Sequence, residues 1–130
     1  MRRALAVLAL AAAAAAGCSD LGPVAGDLTV RLATSRTGIR AVMFRTIGPQ
    51  HGVSAGSGSS YRVISDQSGD TAWIAVIAPQ GSVLLAGEIV RLAVPDTRNA
   101  GSYKTALTDV AASDYSVGDI SGITLTVAKP

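Results

Sequence analysis

The chain has 130 residues, 48% of them hydrophobic and 15% charged, with one cysteine, one histidine and a formal net charge of +2. That length holds one domain at most, and a single cysteine excludes an intrachain disulfide. Arg2 and Arg3 carry the whole positive excess, so the remainder is formally neutral and has no net field to hold nucleic acid or an anionic membrane surface.

Met1-Arg2-Arg3 is a short cationic start, and residues 4–16 form an uninterrupted apolar run in which nine of thirteen positions are Ala. This is the architecture of a secretory signal, so residues 1–17 are expected to be removed on export. As a helix the run would span roughly 20 Å against a hydrocarbon core of about 30 Å, too short for a spanning anchor. The stretch Ala15-Ala16-Gly17-Cys18 resembles the lipobox of bacterial lipoproteins, with Ala15 where that pattern prefers Leu. The resemblance implies cleavage between Gly17 and Cys18 and a diacylglyceryl group, with palmitate-type chains, on the Cys18 thiol. Two or three acyl chains at ~0.8 kcal/mol per buried methylene give lasting attachment without a transmembrane helix. Ser19 follows the cysteine, and the sorting rule of diderm lipoproteins then implies the outer membrane, on its periplasmic or its surface side. The plain alternative is a signal cleaved near the alanine run that leaves Cys18 a free thiol.

Residues 18–26 read as a lipidated linker around Gly22-Pro23, and residues 27–130 as the folded domain. From Asp27 onward the apolar periodicity is that of strands. Leu28, Val30 and Leu32 alternate with polar residues. Residues 39–47 are apolar on both faces in their middle, which suits an inner strand. Residues 61–64 make a short strand, and residues 71–78 the most continuously apolar one, ended by Pro79. Val83-Leu84-Leu85, residues 89–94, 103–110 and 123–127 complete a set of about eight. Residues 48–60, with four Gly and four Ser, are expected to form the longest mobile loop. Strands about ten residues apart, separated by Gly, Ser, Asp and Pro, predict an all-β antiparallel sandwich.

The segments Gly38-Ile39-Arg40-Ala41-Val42-Met43-Phe44, Gly87-Glu88-Ile89-Val90-Arg91-Leu92-Ala93-Val94 and Gly122-Ile123-Thr124-Leu125-Thr126-Val127 resemble, in order and spacing, the cohesin-type and carbohydrate-binding-module-type sandwiches of bacterial cell surfaces. The likeness rests on apolar spacing, fits an immunoglobulin-like sandwich equally, and carries no binding residue across.

Gly52-Val53-Ser54-Ala55-Gly56 matches the Gly-x-Ser-x-Gly pattern of serine hydrolases, and His51 stands beside it. A nucleophile elbow needs a strand, a sharp turn and a helix on a large α/β sheet, none of which this short Gly/Ser stretch predicts. Asp66 and Asp70 flank Gly69 and could offer oxygens to a hard cation, but a hairpin turn explains them equally. Asp109, Asp114 and Asp119 give a similar hint, and one histidine with one cysteine excludes the usual zinc sets. Sugar-binding sandwiches present exposed aromatics, and Tyr61, Tyr103 and Tyr115 are the candidates, while Phe44 and Trp73 are expected in the core. Residues 19–65 hold a positive surplus and residues 66–130 a matching negative one, which interleaved strands would pair locally. The expectation is a membrane-anchored lipoprotein with no cofactor, whose sandwich is a non-catalytic binding or structural module for a protein or glycan partner. The alternatives are a carbohydrate-binding module and a small hydrolase using Ser54 and His51.

Overall fold

Alternation at Leu28, Val30 and Leu32 produces the first strand, β1 (Gly26–Thr34), whose three inward side chains are buried. The computed structural model describes residues 22–112 and 118–130. Seven further strands follow: β2 (Ile39–Ile47), β3 (Gly52–Ala55), β4 (Arg62–Ser68), β5 (Thr71–Ile77), β6 (Gly87–Val94), β7 (Lys104–Ala112) and β8 (Ile123–Ala128). A 3-10 turn over Thr97–Ser102 links β6 to β7. All pairings are antiparallel, and they build two four-stranded sheets in the orders β3-β6-β1-β8 and β4-β5-β2-β7. This is the all-β sandwich of about eight strands expected from the sequence.

The core lies between the sheets. Leu28, Val30 and Leu32 of β1 and Val90, Leu92 and Val94 of β6 meet Val42 and Phe44 of β2 and Ala72, Ile74 and Val76 of β5. Phe44 is fully buried, which at about 25 cal/mol per Å² stabilises the fold by roughly 1.5–3 kcal/mol. In the β1–β6 pairing Val30 faces Val90 and Arg31 faces Glu88, so Ile89 is an extra, bulged residue. Both Ile89 and Val90 are thereby buried. A second bulge lies on edge strand β7, where Asp109 faces Met43 and Leu107 faces Phe44, leaving Thr108 unpaired in the ladder. Its Oγ1 donates to the Met43 carbonyl at 2.9 Å.

Three sequence expectations are corrected. Residues 48–60 are not one loop, because Gly52–Ala55 forms β3 on the free edge of β6. Only Val53 in that segment favours a strand locally; the backbone hydrogen bonds offered by β6 decide the outcome. Val83-Leu84-Leu85 is not a strand. Leu84 alone is buried, and its N–H donates to the Ile39 carbonyl at 2.7 Å while Leu85 faces solvent. Trp73 points outward and is 45% exposed. Parity decides this, since burying Trp73 would turn Ala72, Ile74 and Val76 to solvent together.

Each sheet draws strands from both halves of the chain, so the surplus charges do not form opposed faces. Arg91 lies 3.8 Å from Asp27 across that divide. The described end of the expected linker is fastened to the sandwich. Val24 donates its N–H to the Asp96 carboxylate at 3.4 Å and accepts from the Thr97 N–H at 2.8 Å. Asp96 caps the 3-10 turn through the Arg98 N–H and takes two further bonds from the Arg98 guanidinium, both 2.9 Å long.

Candidate functional site

The two outer faces of the sandwich differ in chemistry. On the β3-β6-β1-β8 sheet the outward positions include Ser54, Arg91, Asp27, Arg31, Thr124 and Thr126, an ordinary solvated face. Outward residues on the other sheet follow from its register. Asp66, Trp73, Arg45 and Ala106 lie side by side, and the next row holds Ile64, Ala75, Met43 and Asp109. Ile64 is 50% exposed, Met43 45% and Ile47 38%. Exposed large apolar side chains gathered on one face are a candidate interaction surface. With strands about 4.8 Å apart and a rise of about 3.4 Å per residue, this face measures roughly 19 by 24 Å.

Small residues give the face relief. Ala41, Ala75 and Ala111 sit low beside Met43 and Ile77, leaving a depression of about 310 Å³. A second depression of about 200 Å³ opens between Met43, Ile64, Ala75 and Trp73. Across Trp73 lies Arg45, its guanidinium carbon 5.5 Å from the ring centroid. That contact is a cation–π interaction, worth about 0.5–1 kcal/mol at an exposed site. The Arg45 Nε is buried and makes no hydrogen bond, and no ion pair engages Arg45 among the described residues. Arg45 thus stands without an ion pair among the described residues, next to exposed Met43 and Trp73 on a face that also carries Asp66 and Asp109.

The residues singled out from sequence are distributed elsewhere. Ser54 lies on edge strand β3, and no helix follows it. His51, whose N–H donates to the Ala93 carbonyl at 2.9 Å, immediately precedes that strand. His51 stands in the bend before the strand, and no hydrogen bond joins its side chain to Ser54 among the described residues. Asp66 is one of the outward residues of β4, and Gly69, with φ of +60°, makes the β4–β5 turn. Asp119 accepts from the Ser121 N–H and hydroxyl at 2.9 and 2.8 Å, bonds that hold its carboxyl below the usual range. Among the described residues no three His, Cys, Asp or Glu side chains gather as metal ligands.

Tyr61 and Tyr103, the tyrosines among the described residues, do not make an exposed row. Tyr103 is buried against Gly48 and donates its hydroxyl to the Pro49 carbonyl, and burial pushes its pKa above the ordinary value. Tyr61 is half-buried, with its hydroxyl accepting from the Leu85 N–H at 3.0 Å. Gly17, Cys18, Asp114 and Tyr115 lie outside the described residues. No helix among the described residues is long and apolar enough to cross a membrane. Sequence reasoning missed the apolar face; its signal was there, in β2 and β5 being apolar at outward as well as inward positions.

No protein-family profile matches the chain, and no curated protein or solved structure matches it.

Proposed function

We propose that the chain is an exported lipoprotein of a bacterial cell envelope, attached through acylated Cys18, whose sandwich is a non-catalytic binding module. Its working surface is the outer face of the β4-β5-β2-β7 sheet. The observation that carries this reading is Arg45, without an ion pair among the described residues, stacked on Trp73 beside exposed Met43, Ile64 and Ile47. Covering that face with purely apolar matter would bury the guanidinium charge without a partner, at a cost of several kcal/mol. A protein segment with apolar side chains around one carboxylate removes the cost and adds a charge-assisted bond. The occupant is therefore a protein surface of that composition.

The anchor rests on Ala15-Ala16-Gly17-Cys18, and Ser19 favours the outer membrane. No hydrogen bond joins Ser54 to His51 among the described residues, and the element after β3 is the strand β4, which gives the hydrolase alternative no support. Two measurements test the reading. Intact mass of detergent-extracted protein should show a chain starting at acylated Cys18; an unmodified thiol overturns the anchoring. A photo-crosslinker at Met43 in living cells should give a discrete adduct that disappears with Arg45→Glu. An adduct indifferent to Arg45→Glu, or one made only with a second copy of the chain, overturns the proposed occupant.

A further inference from the structure

Of the strands at the margins of the two sheets, β4 alone is both long and unguarded. β3 has four residues, β7 is broken by its bulge, and the Leu125 carbonyl of β8 is taken by the Thr105 hydroxyl at 3.1 Å. β4 runs seven residues in unbroken register against β5, and no strand pairs with its other side. Ser68 and Thr71 close a two-residue turn and so exchange both backbone hydrogen bonds. By alternation Arg62, Ile64 and Asp66 also spend their backbone groups on β5. The N–H and C=O groups of Val63, Ser65 and Gln67 therefore point off the sheet edge, and no turn or loop of the described residues bonds to them. Such a row is open to pairing with a further strand.

The side chains along that row specify the strand. Arg62, Ile64 and Asp66 hold successive outward positions, and all three are exposed. Neither Arg62 nor Asp66 is in an ion pair among the described residues. The pattern complements itself when reversed. Laid antiparallel on a second β4 about a two-fold axis through Ile64, it sets Arg62 opposite Asp66 twice and Ile64 opposite Ile64. The backbone agrees with this register, because it pairs Val63 with Ser65, whose N–H and C=O groups already face the edge. Other registers lose the match. An axis at Arg62 or Asp66 sets like charges face to face, and one at Val63 or Ser65 sets Ile64 against a charge.

We propose that β4 is a self-association edge, at which two copies of this chain join antiparallel, centred on Ile64, into one continuous eight-stranded sheet. The contact is isologous and closes at two, and the bulged β7 margins stop the sheet from growing further. One strand edge covers far less than the roughly 800 Å² per partner of a standard interface, so the pair is weak and its members exchange. The apolar sheet face stays uncovered, since Met43 lies two strands in from β4, about 14 Å from the nearest strand of the second copy. The proposal depends neither on the occupant of that face nor on the anchor.

Disulfide trapping in the full chain, purified in detergent, tests both contact and register, with the unsubstituted chain giving the background from Cys18. Cα atoms of a non-hydrogen-bonded antiparallel pair lie about 4.5–5.5 Å apart, within disulfide reach. Under mild copper oxidation Ile64→Cys should therefore form a dimer by itself. Arg62→Cys and Asp66→Cys, whose equivalent positions lie about 14 Å apart across the axis, should do so only when the two variants are mixed. In the Ile64→Cys chain, Arg62→Asp or Asp66→Arg places like charges across the axis and should slow trapping about fivefold or more, while both together should restore it. The substituted side chains are exposed, so urea unfolding should be unchanged. The proposal is overturned by an Ile64→Cys dimer yield no higher than background, by Arg62→Cys alone trapping as readily as the mixture, or by charge reversals that the double exchange does not rescue. In cells, an Ile64→Cys adduct with a different protein in place of the second copy overturns it as well.

Discussion

Gly48 offers the sharpest test of how the sandwich is held together. Its φ is +150°, and a Cβ there would lie 2.4 and 2.6 Å from the Cδ1 and Cε1 atoms of Tyr103. The ring cannot step aside freely, because it is buried and its hydroxyl is bonded to the Pro49 carbonyl. Gly48→Ala therefore combines an unfavourable backbone conformation, about 1–3 kcal/mol, with overpacking of about 1–3 kcal/mol. A total of about 2–6 kcal/mol corresponds to a fall in Tm of roughly 10–30 °C for a domain of this size. Gly69→Ala is the control. It shares a positive φ, +60°, but has nothing within 4 Å of the new Cβ, so only a conformational cost of about 1–2 kcal/mol applies. Urea unfolding followed by circular dichroism measures both. Tyr103→Ala should relieve part of the Gly48→Ala penalty, giving a coupling above about 0.5 kcal/mol in a double-mutant cycle. Equal losses for the two glycines, or strictly additive effects with Tyr103→Ala, would refute the reasoning.

Other expectations are directly measurable. Phe44→Ala should destabilise the domain by about 3–5 kcal/mol in urea unfolding, since the side chain is fully buried between the sheets. Trp73→Ala should change stability by less than about 1 kcal/mol, the side chain being 45% exposed, while abolishing the Met43 crosslink. In acid, the carboxyls of Glu88, Asp96 and Asp119 are all held below their unfolded values by Arg91, Arg98 and Ser121 respectively. Their contribution is complete above the unfolded carboxyl pKa, so urea midpoints should be level from neutrality to about pH 5 and then fall as pH drops through the folded values. In alkali the sign reverses. Tyr103 is raised above its ordinary value near 10, so its contribution is intact below that pH and declines as pH rises through the folded value, a decline that Tyr103→Phe should remove.

Much of the fold is legible in local pattern. The limits of β2, residues 39–47, can be read directly, because Gly38 and Gly48 bracket a mostly β-branched and apolar run interrupted only by Arg40 and Arg45. Alternation likewise marks β1, β6 and β8. Pairing is another matter, since nothing local says that β1 lies between β6 and β8. The same limit explains Trp73 and the apolar face. A strand that is apolar on both sides can be covered twice or can leave one side open, and its own residues do not distinguish the two. β3 escaped notice because its stability comes from the edge it joins. The spacing of Arg62, Ile64 and Asp66 is readable, but its place on a free edge becomes visible only once β4 is seen to have no neighbour beyond it.

The bulge at Thr108 bears on how such molecules behave when crowded. A straight, regular rim on β7 would offer a row of vacant backbone groups to any neighbour. Turning Thr108 back onto the Met43 carbonyl kinks that rim, and on the opposite margin β4 carries Arg62 and Asp66. Bulges and charges of this kind discourage edge-to-edge growth into ribbons. Deleting Thr108 would restore a regular ladder on β7 and with it a straighter edge for a neighbouring strand to join.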